Sequence, residues 1–145
     1  MAQYTITRRI EIDAGHRVTY HDSKCRNLHG HRYVIEASVT GELHTSGSEE
    51  GMTMDFSFLK EEMTKHIHDV VDHAFMVWEK DPLERMLIET MTNIVSLPFV
   101  PTAENLAGYW FNELKPAIAL RTDGHAELSQ IKVWETPNCA AVYPC

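Results

Sequence analysis

The stretch Cys25-Arg26-Asn27-Leu28-His29-Gly30-His31, running on into Arg32-Tyr33-Val34-Ile35-Glu36-Ala37-Ser38-Val39-Thr40-Gly41, decides how this chain is read. From His31 onward apolar and polar residues alternate, with Tyr33, Ile35, Ala37, Val39 and Leu43 on one side and Glu36, Ser38, Thr40 and Glu42 largely on the other. A period of two is the signature of a half-buried strand, here ending near Gly41. On such a strand His29 and His31 point to the same face, roughly 6–7 Å apart at the backbone. Two imidazoles at that separation can converge on one ion. Zinc is the default metal, since neutral imidazole suits it and a catalytic site takes three protein ligands with a fourth position open.

Working outward, residues 4–13 alternate Tyr4, Ile6, Arg8, Ile10, Ile12 against Thr5, Thr7, Arg9, Glu11, Asp13, a second strand whose end carries Ala14-Gly15-His16. Residues 17–28 lack an apolar run and read as a loop. If the two strands form a hairpin, His16 joins His29 and His31 as a third ligand. The plain alternative is three solvated loop histidines, because a His-x-His pair arises on surface strands by accident. Cys25 has three readings: a fourth ligand closing a structural site, an inert buried thiol, or a reactive nucleophile or base. Its neighbours Lys24 and Arg26 would stabilise a thiolate, which favours the reactive reading.

Further along, Leu59, Met63, Ile67, Val70, Val71 and Ala74 fall at helical spacing, so an amphipathic helix is expected, capped by Asp55 or Ser57. Asp72-His73 lies where that helix runs out, an orienting carboxylate beside a group that titrates near neutrality, or simply a surface cap. His66 and His68 differ by two and share no helix face, so they read as solvated, and His21, His44 and His125 are given the same reading. Residues 76–100 are hard to read. Asp81-Pro82 suits a helix start followed by Leu83, Met86, Leu87 and Met91, and Ile94 to Pro98 looks extended. Thr102 caps a second long helix with Ala103, Leu106, Ala107, Trp110, Phe111 and Leu114 as its apolar face, bounded by Pro116. A closing hairpin pairs Leu128–Glu135 with Ala140–Tyr143 around Thr136-Pro137-Asn138. Glu135 is either a solvated strand-end charge or an acceptor for two N–H donors of a flat heterocycle.

The expected fold is α+β, a four-stranded antiparallel sheet with two helices on one face. Such a sheet leaves one face and two edges uncovered, so pairing between copies into a closed barrel is expected. At 145 residues the chain suits one domain, 1–145. The net charge of -8 opposes sequence-independent nucleic-acid binding, which needs a basic face. No stretch approaches the roughly 20 apolar residues of a membrane helix, and Met1-Ala2-Gln3-Tyr4-Thr5 lacks signal-peptide character. With three cysteines a disulfide framework is not expected, and the expected compartment is the cytoplasm. No phosphate-cradling glycine loop and no His-Glu-x-x-His helix is present, which removes nucleotide hydrolysis and zinc-protease chemistry.

The set Ala14-Gly15-His16, Cys25-x-x-x-His29-Gly30-His31, Met54-Asp55-Phe56, Val71-Asp72-His73, Pro101-Thr102-Ala103-Glu104-Asn105 and Glu135-Thr136 resembles the 6-pyruvoyl-tetrahydropterin synthase family. Its short gap between Cys25 and His29 is similar to the bacterial 6-carboxy-tetrahydropterin synthase branch of queuosine biosynthesis. The resemblance implies a tunnelling fold in which three ββααββ subunits close a twelve-stranded barrel and two trimers stack into a homohexamer. It implies His16, His29 and His31 as zinc ligands, Cys25, Asp72 and His73 as proton-transfer residues, and Glu135 as the pterin anchor, assisted by Thr102 and Glu104. The implied substrate is 7,8-dihydroneopterin triphosphate, converted to 6-carboxy-5,6,7,8-tetrahydropterin with loss of acetaldehyde and triphosphate. Lys24, Arg26 and Arg17 are candidates for contacting the triphosphate. Departures from the family pattern are Gly15 before His16, Val71 before Asp72 and a lengthened 76–100 segment.

Overall fold

The computed structural model describes residues 1–145. Its centre is the antiparallel pair β1 (Tyr4–His16) and β2 (His29–Gly41), in register from Tyr4 opposite Gly41 to His16 opposite His29. The alternation seen in the sequence becomes a division between faces. Ile12, Ala14, His16, Tyr33, Ile35, Ala37 and Val39 are buried, whereas Thr5 pairs with Thr40 and Thr7 with Ser38 through their hydroxyls on the polar face. Leu43 lies past the end of β2 and is partly exposed.

The sheet has six strands rather than the expected four. β3 (Phe75–Trp78) runs parallel to β1 through Gly15 opposite Phe75, and β4 (Ile94–Leu97) runs parallel to β3. β5 (Ala126–Thr136) and β6 (Cys139–Tyr143) extend the other side, giving the order β4-β3-β1-β2-β5-β6. Residues 94–97 are extended, as the sequence suggests, whereas Phe-Met-Val-Trp is a four-residue apolar run that shows no period. The parallel connection needs a crossover, which a short helix after Pro82 supplies.

Three helices accompany the sheet. α1 (Phe56–Met63) is capped by Asp55, whose side chain accepts from Ser57 N, and continues through a wide π turn (Thr64–His68) into a last turn, Asp69–Val71. The extra residue in the π turn keeps Ile67 and Val71 inward and turns Val70 out, 49% exposed. α2 (Glu84–Thr90) lies in the β3–β4 crossover, and α3 (Ala103–Arg121) is capped by Thr102. Pro116 does not end α3, contrary to expectation. An interior proline costs about 3 kcal/mol. Continuing the helix buries Ile118 completely, which recovers about 1.5–3 kcal/mol, and Thr122 closes the end by bonding Ile118 O. Leu59, Met63, Ile67, Leu106, Trp110 and Leu114 pack with the inner face of the sheet in one cluster. No helix is long and apolar enough to cross a membrane.

Candidate active site

The register that sets His16 opposite His29 gathers the three histidines at one end of the hairpin. Their ring centroids are 4.7 Å (His16–His29), 5.0 Å (His16–His31) and 5.0 Å (His29–His31) apart. Ligand atoms from all three lie within 4.8 Å of one another. His16 Nδ1 bonds the Pro101 carbonyl at 2.7 Å, and His29 Nδ1 bonds the Asn27 carbonyl at 2.6 Å. A carbonyl only accepts, so these Nδ1 atoms carry the proton and Nε2 keeps a free lone pair, the usual arrangement behind metal-bound imidazole. Burial pushes both His16 and His31 toward the neutral form that a metal needs. The Nε2 atoms of His16 and His31 are buried with no hydrogen-bond partner. Leaving such atoms bare costs about 1–3 kcal/mol each. A metal ion at that point satisfies them, so the residues fit one. The Pro101-Thr102 segment thereby has a use the sequence did not disclose: its carbonyl sets the orientation of His16.

Glu135 sits on the same face, its Oε1 3.5 Å from His31 Nε2 and its Oε2 3.9 Å from His16 Nε2. It occupies the irregularity in the β5–β6 ladder, where pairing steps from Trp134–Ala140 to Thr136–Cys139. A bulge of this kind aims a side chain that a regular ladder would hold in the pleat. Tyr33 closes the floor, its ring 5.8 Å from His16 and 5.5 Å from His31, with a buried hydroxyl that has no partner. Burial pushes its phenol far up, helped by the charges of Glu135 and Cys25, so the hydroxyl stays protonated as a donor. Sequence reading placed Tyr33 only as an apolar strand residue.

Cys25 lies in a single 3-10 turn (Lys24–Arg26), half-buried, and stands outside the ligand cluster. Arg17 is not free for a substrate: Nε and Nη2 bind Asp81 at 2.7 and 2.9 Å, and Nη1 donates to Arg26 O at 3.3 Å. Lys24 and Arg26 remain exposed.

Asp72 and His73 follow the last turn of the first helix. Asp72 Oδ1 accepts from Asp13 N at 2.9 Å, and Oδ2 lies 2.8 Å from His73 Nδ1. The hydrogen bonds from Asp13 N and His73 hold the Asp72 carboxyl below its usual range, and the bond to Asp72 raises the His73 imidazole. His73 adopts a left-handed backbone, φ 61°, clamped by its N–H on Asp13 O and by Asn93 Nδ2 on its carbonyl. His68, read as solvated, has Nε2 3.6 Å from Asp72 Oδ2, because residues four apart do share a face. The His73 ring is 76% exposed and does not pack on the three-histidine cluster. It opens on a cleft of ≈ 570 Å³ shared with Asp13, Gly15, His31, Arg32 and Asn93. A second cleft of ≈ 590 Å³ joins His31 to Trp134, Glu135 and Thr136, and a third joins Glu104 to Glu135 and Cys139. Thr102 Oγ1 is engaged as the cap, accepting from Asn105 N at 3.1 Å.

The 6-pyruvoyl tetrahydropterin synthase family model matches residues 5–144. The chain belongs to that family. Curated relatives named 6-carboxy-5,6,7,8-tetrahydropterin synthase include one from Haemophilus influenzae, 35% identical over 144 residues, 97% of this chain and 98% of the relative. One from Rickettsia felis is 38% identical over 135 residues, 92% of this chain and 94% of the relative. Among solved structures, Caenorhabditis elegans 6-pyruvoyl tetrahydropterin synthase superposes with a TM-score of 0.68 at 29% identity, covering 99% of this chain and 96% of that one. An uncharacterised Wolinella succinogenes protein superposes with a TM-score of 0.82 at 23% identity and 98% coverage of both chains, a likeness of fold. A 6-pyruvoyl tetrahydropterin synthase fold, α+β with a curled sheet, thus accounts for the architecture, and enzymes of pterin-synthase type are its family context.

Proposed function

We propose that the chain is a single-domain, zinc-dependent 6-carboxy-5,6,7,8-tetrahydropterin synthase acting on 7,8-dihydroneopterin triphosphate and water, with acetaldehyde and triphosphate as the other products. The observation that carries the reading is the pair of buried, partnerless Nε2 atoms on His16 and His31 beside His29, with Glu135 on the same face. The names of the relatives from Haemophilus influenzae and Rickettsia felis support the 6-carboxy product.

His16, His29 and His31 would hold the metal. Zinc, when bound, supplies a Lewis acid toward the substrate's side-chain hydroxyls and makes the adjacent C–H more acidic. Cys25 takes a proton from the side chain. His73, held at Nδ1 by Asp72, presents Nε2 to supply or remove a second proton, and its raised basicity suits delivery near neutrality. Glu135 accepts two N–H donors from the pterin ring, with Thr102 and Glu104 assisting, and Lys24 and Arg26 meet the triphosphate. The complete site takes its Asp72-His73 pair from a neighbouring copy in a trimeric barrel, the exposed His73 ring being free to meet one. Two such trimers make a homohexamer. The setting is cytoplasmic queuosine biosynthesis, with neither nucleic acid nor membrane as partner.

The second reading is 6-pyruvoyl-tetrahydropterin formation, favoured by the Caenorhabditis elegans likeness, in which triphosphate leaves and the side chain stays whole. Incubating the purified protein with dihydroneopterin triphosphate and weighing the products decides between them. Acetaldehyde with the 6-carboxy product supports the first reading, the intact-side-chain product the second, and no turnover by the metal-loaded protein refutes both. Cys25→Ala is expected to abolish turnover while one zinc per chain remains.

A further inference from the structure

Asp81 is the one buried carboxylate of the chain, 5% exposed, and the chemistry above makes no use of it. Its oxygens are fully engaged. Oδ2 accepts from Arg17 Nε at 2.7 Å and Thr19 Oγ1 at 2.6 Å, and Oδ1 accepts from Arg17 Nη2 at 2.9 Å and Leu83 N at 2.8 Å. Burial opposes the charge, yet these bonds outweigh it and hold the Asp81 carboxyl below its usual range.

What the pair holds is informative. The turn carrying Cys25 has no buried residue of its own, and Ser23 gives it no side-chain cap. Two bonds tie its main chain to the body of the protein: Arg17 Nη1 to Arg26 O at 3.3 Å, and Val18 N to Cys25 O at 2.7 Å. Both come from Arg17 and the residue after it, and Arg17 is fixed by Asp81. A buried ion pair is a poor source of stability, since apolar residues of similar volume often do as well or better. A guanidinium fork offers geometry that an ammonium does not, two nitrogens for the carboxylate and a third for the Arg26 carbonyl.

We propose that the buried Asp81–Arg17 pair is the positioning device for Cys25, by which the crossover between β3 and β4 sets where the thiol stands. The proposal rests on the reading of Cys25 as a proton-transfer group. Asp81 and Arg17 are positioning residues and touch no substrate.

The test is Arg17→Lys in the zinc-loaded protein, which keeps a cation for Asp81 and removes the branch to Arg26. Expected are one zinc per chain, KM within about threefold of wild type and kcat lowered roughly 10–100-fold, the scale of a small misplacement of a reacting group. The rate and pH dependence of Cys25 alkylation by iodoacetamide, followed on the Cys25 peptide in a Cys139→Ser/Cys145→Ser background, should change as well. Unchanged kcat and alkylation overturn the proposal. A raised KM with normal kcat also overturns it, by making Arg17 a triphosphate contact. If Arg17→Lys fails to fold, the double variant Arg17→Met/Asp81→Leu carries the same readouts without a stranded charge, and failure of both assigns the pair to folding alone and overturns positioning. Cys25→Ala separates the two layers: an active Cys25→Ala refutes the role of Cys25, whereas an inactive one beside a normal Arg17→Lys refutes only the positioning.

Discussion

Replacing Gly15 by alanine tests whether β3 is built against the strand that ends in His16. A Cβ at Gly15 would lie 2.5 Å from Phe75 Cδ2 and 3.2 Å from Cε2, with His29 O at 3.3 Å, where ordinary contact begins at 3.4 Å. The methyl group therefore enters nearly 1 Å too far into a ring that belongs to the paired strand. Overpacking of this size costs about 1–3 kcal/mol. Alanine returns about 0.4–1 kcal/mol by restricting the unfolded chain, since the strand backbone suits it. With the middle of each range the net loss is about 1.3 kcal/mol, or roughly 3–5 °C in Tm for a chain of this size. Urea unfolding at fixed protein concentration, with Phe75→Leu and the double variant, completes a cycle in which relief of the clash appears as about 1 kcal/mol of favourable coupling. Because Phe75 follows His73 by two residues, kcat should fall in Gly15→Ala while metal content stays at wild type. A Gly15→Ala protein as stable as wild type, or effects that merely add, would show that Phe75 does not occupy this space and that the pairing of β3 on β1 is wrong.

Three further outcomes are expected. His16→Ala should bring metal content, read by elemental mass spectrometry, well below one ion per chain, and retention of a full complement would refute the three-histidine site. Asp72→Asn should move the NMR titration of His73 from its raised value back toward 6.5 and lower kcat by about 10²-fold. The folded-state value is raised, so with Asp72 ionised the pair's stabilisation is complete below 6.5 and is lost as pH climbs through the raised value. The stability lost in Asp72→Asn should accordingly be larger at about pH 6 than at about pH 9, and the reverse order would refute the charged pair. Pro116→Ala, which restores an N–H inside α3 but loosens the unfolded chain, should stabilise the protein by about 2 kcal/mol in urea unfolding; a loss would mean that the proline ring is packed rather than tolerated.

Much of the fold was legible because its rules are local. The period-two patterns of β1 and β2 put His29 and His31 on the buried face, and the caps at Asp55 and Thr102 act within three residues of themselves. The start of α1 and the closing hairpin were readable for the same reason. What tertiary structure alone decided involves partners distant in sequence or choices between nearly balanced energies. β3 and β4 are four residues each and join the sheet only because β3 pairs with β1 from far along the chain and β4 pairs with β3. Pro116 stays inside α3 because burying Ile118 offsets the missing bond. Tyr33 reads as one more apolar strand residue until the His16 and His31 rings stand against it. The bond from Pro101 O to His16 spans 85 residues, and Asp81 reaches Arg17 across 64. Residue types and spacing singled out the three histidines as candidate ligands, because residues two apart on a strand share one face; how their rings are aimed, and what ties down the Cys25 turn, depends on carbonyls and a carboxylate that folding brings within 3 Å.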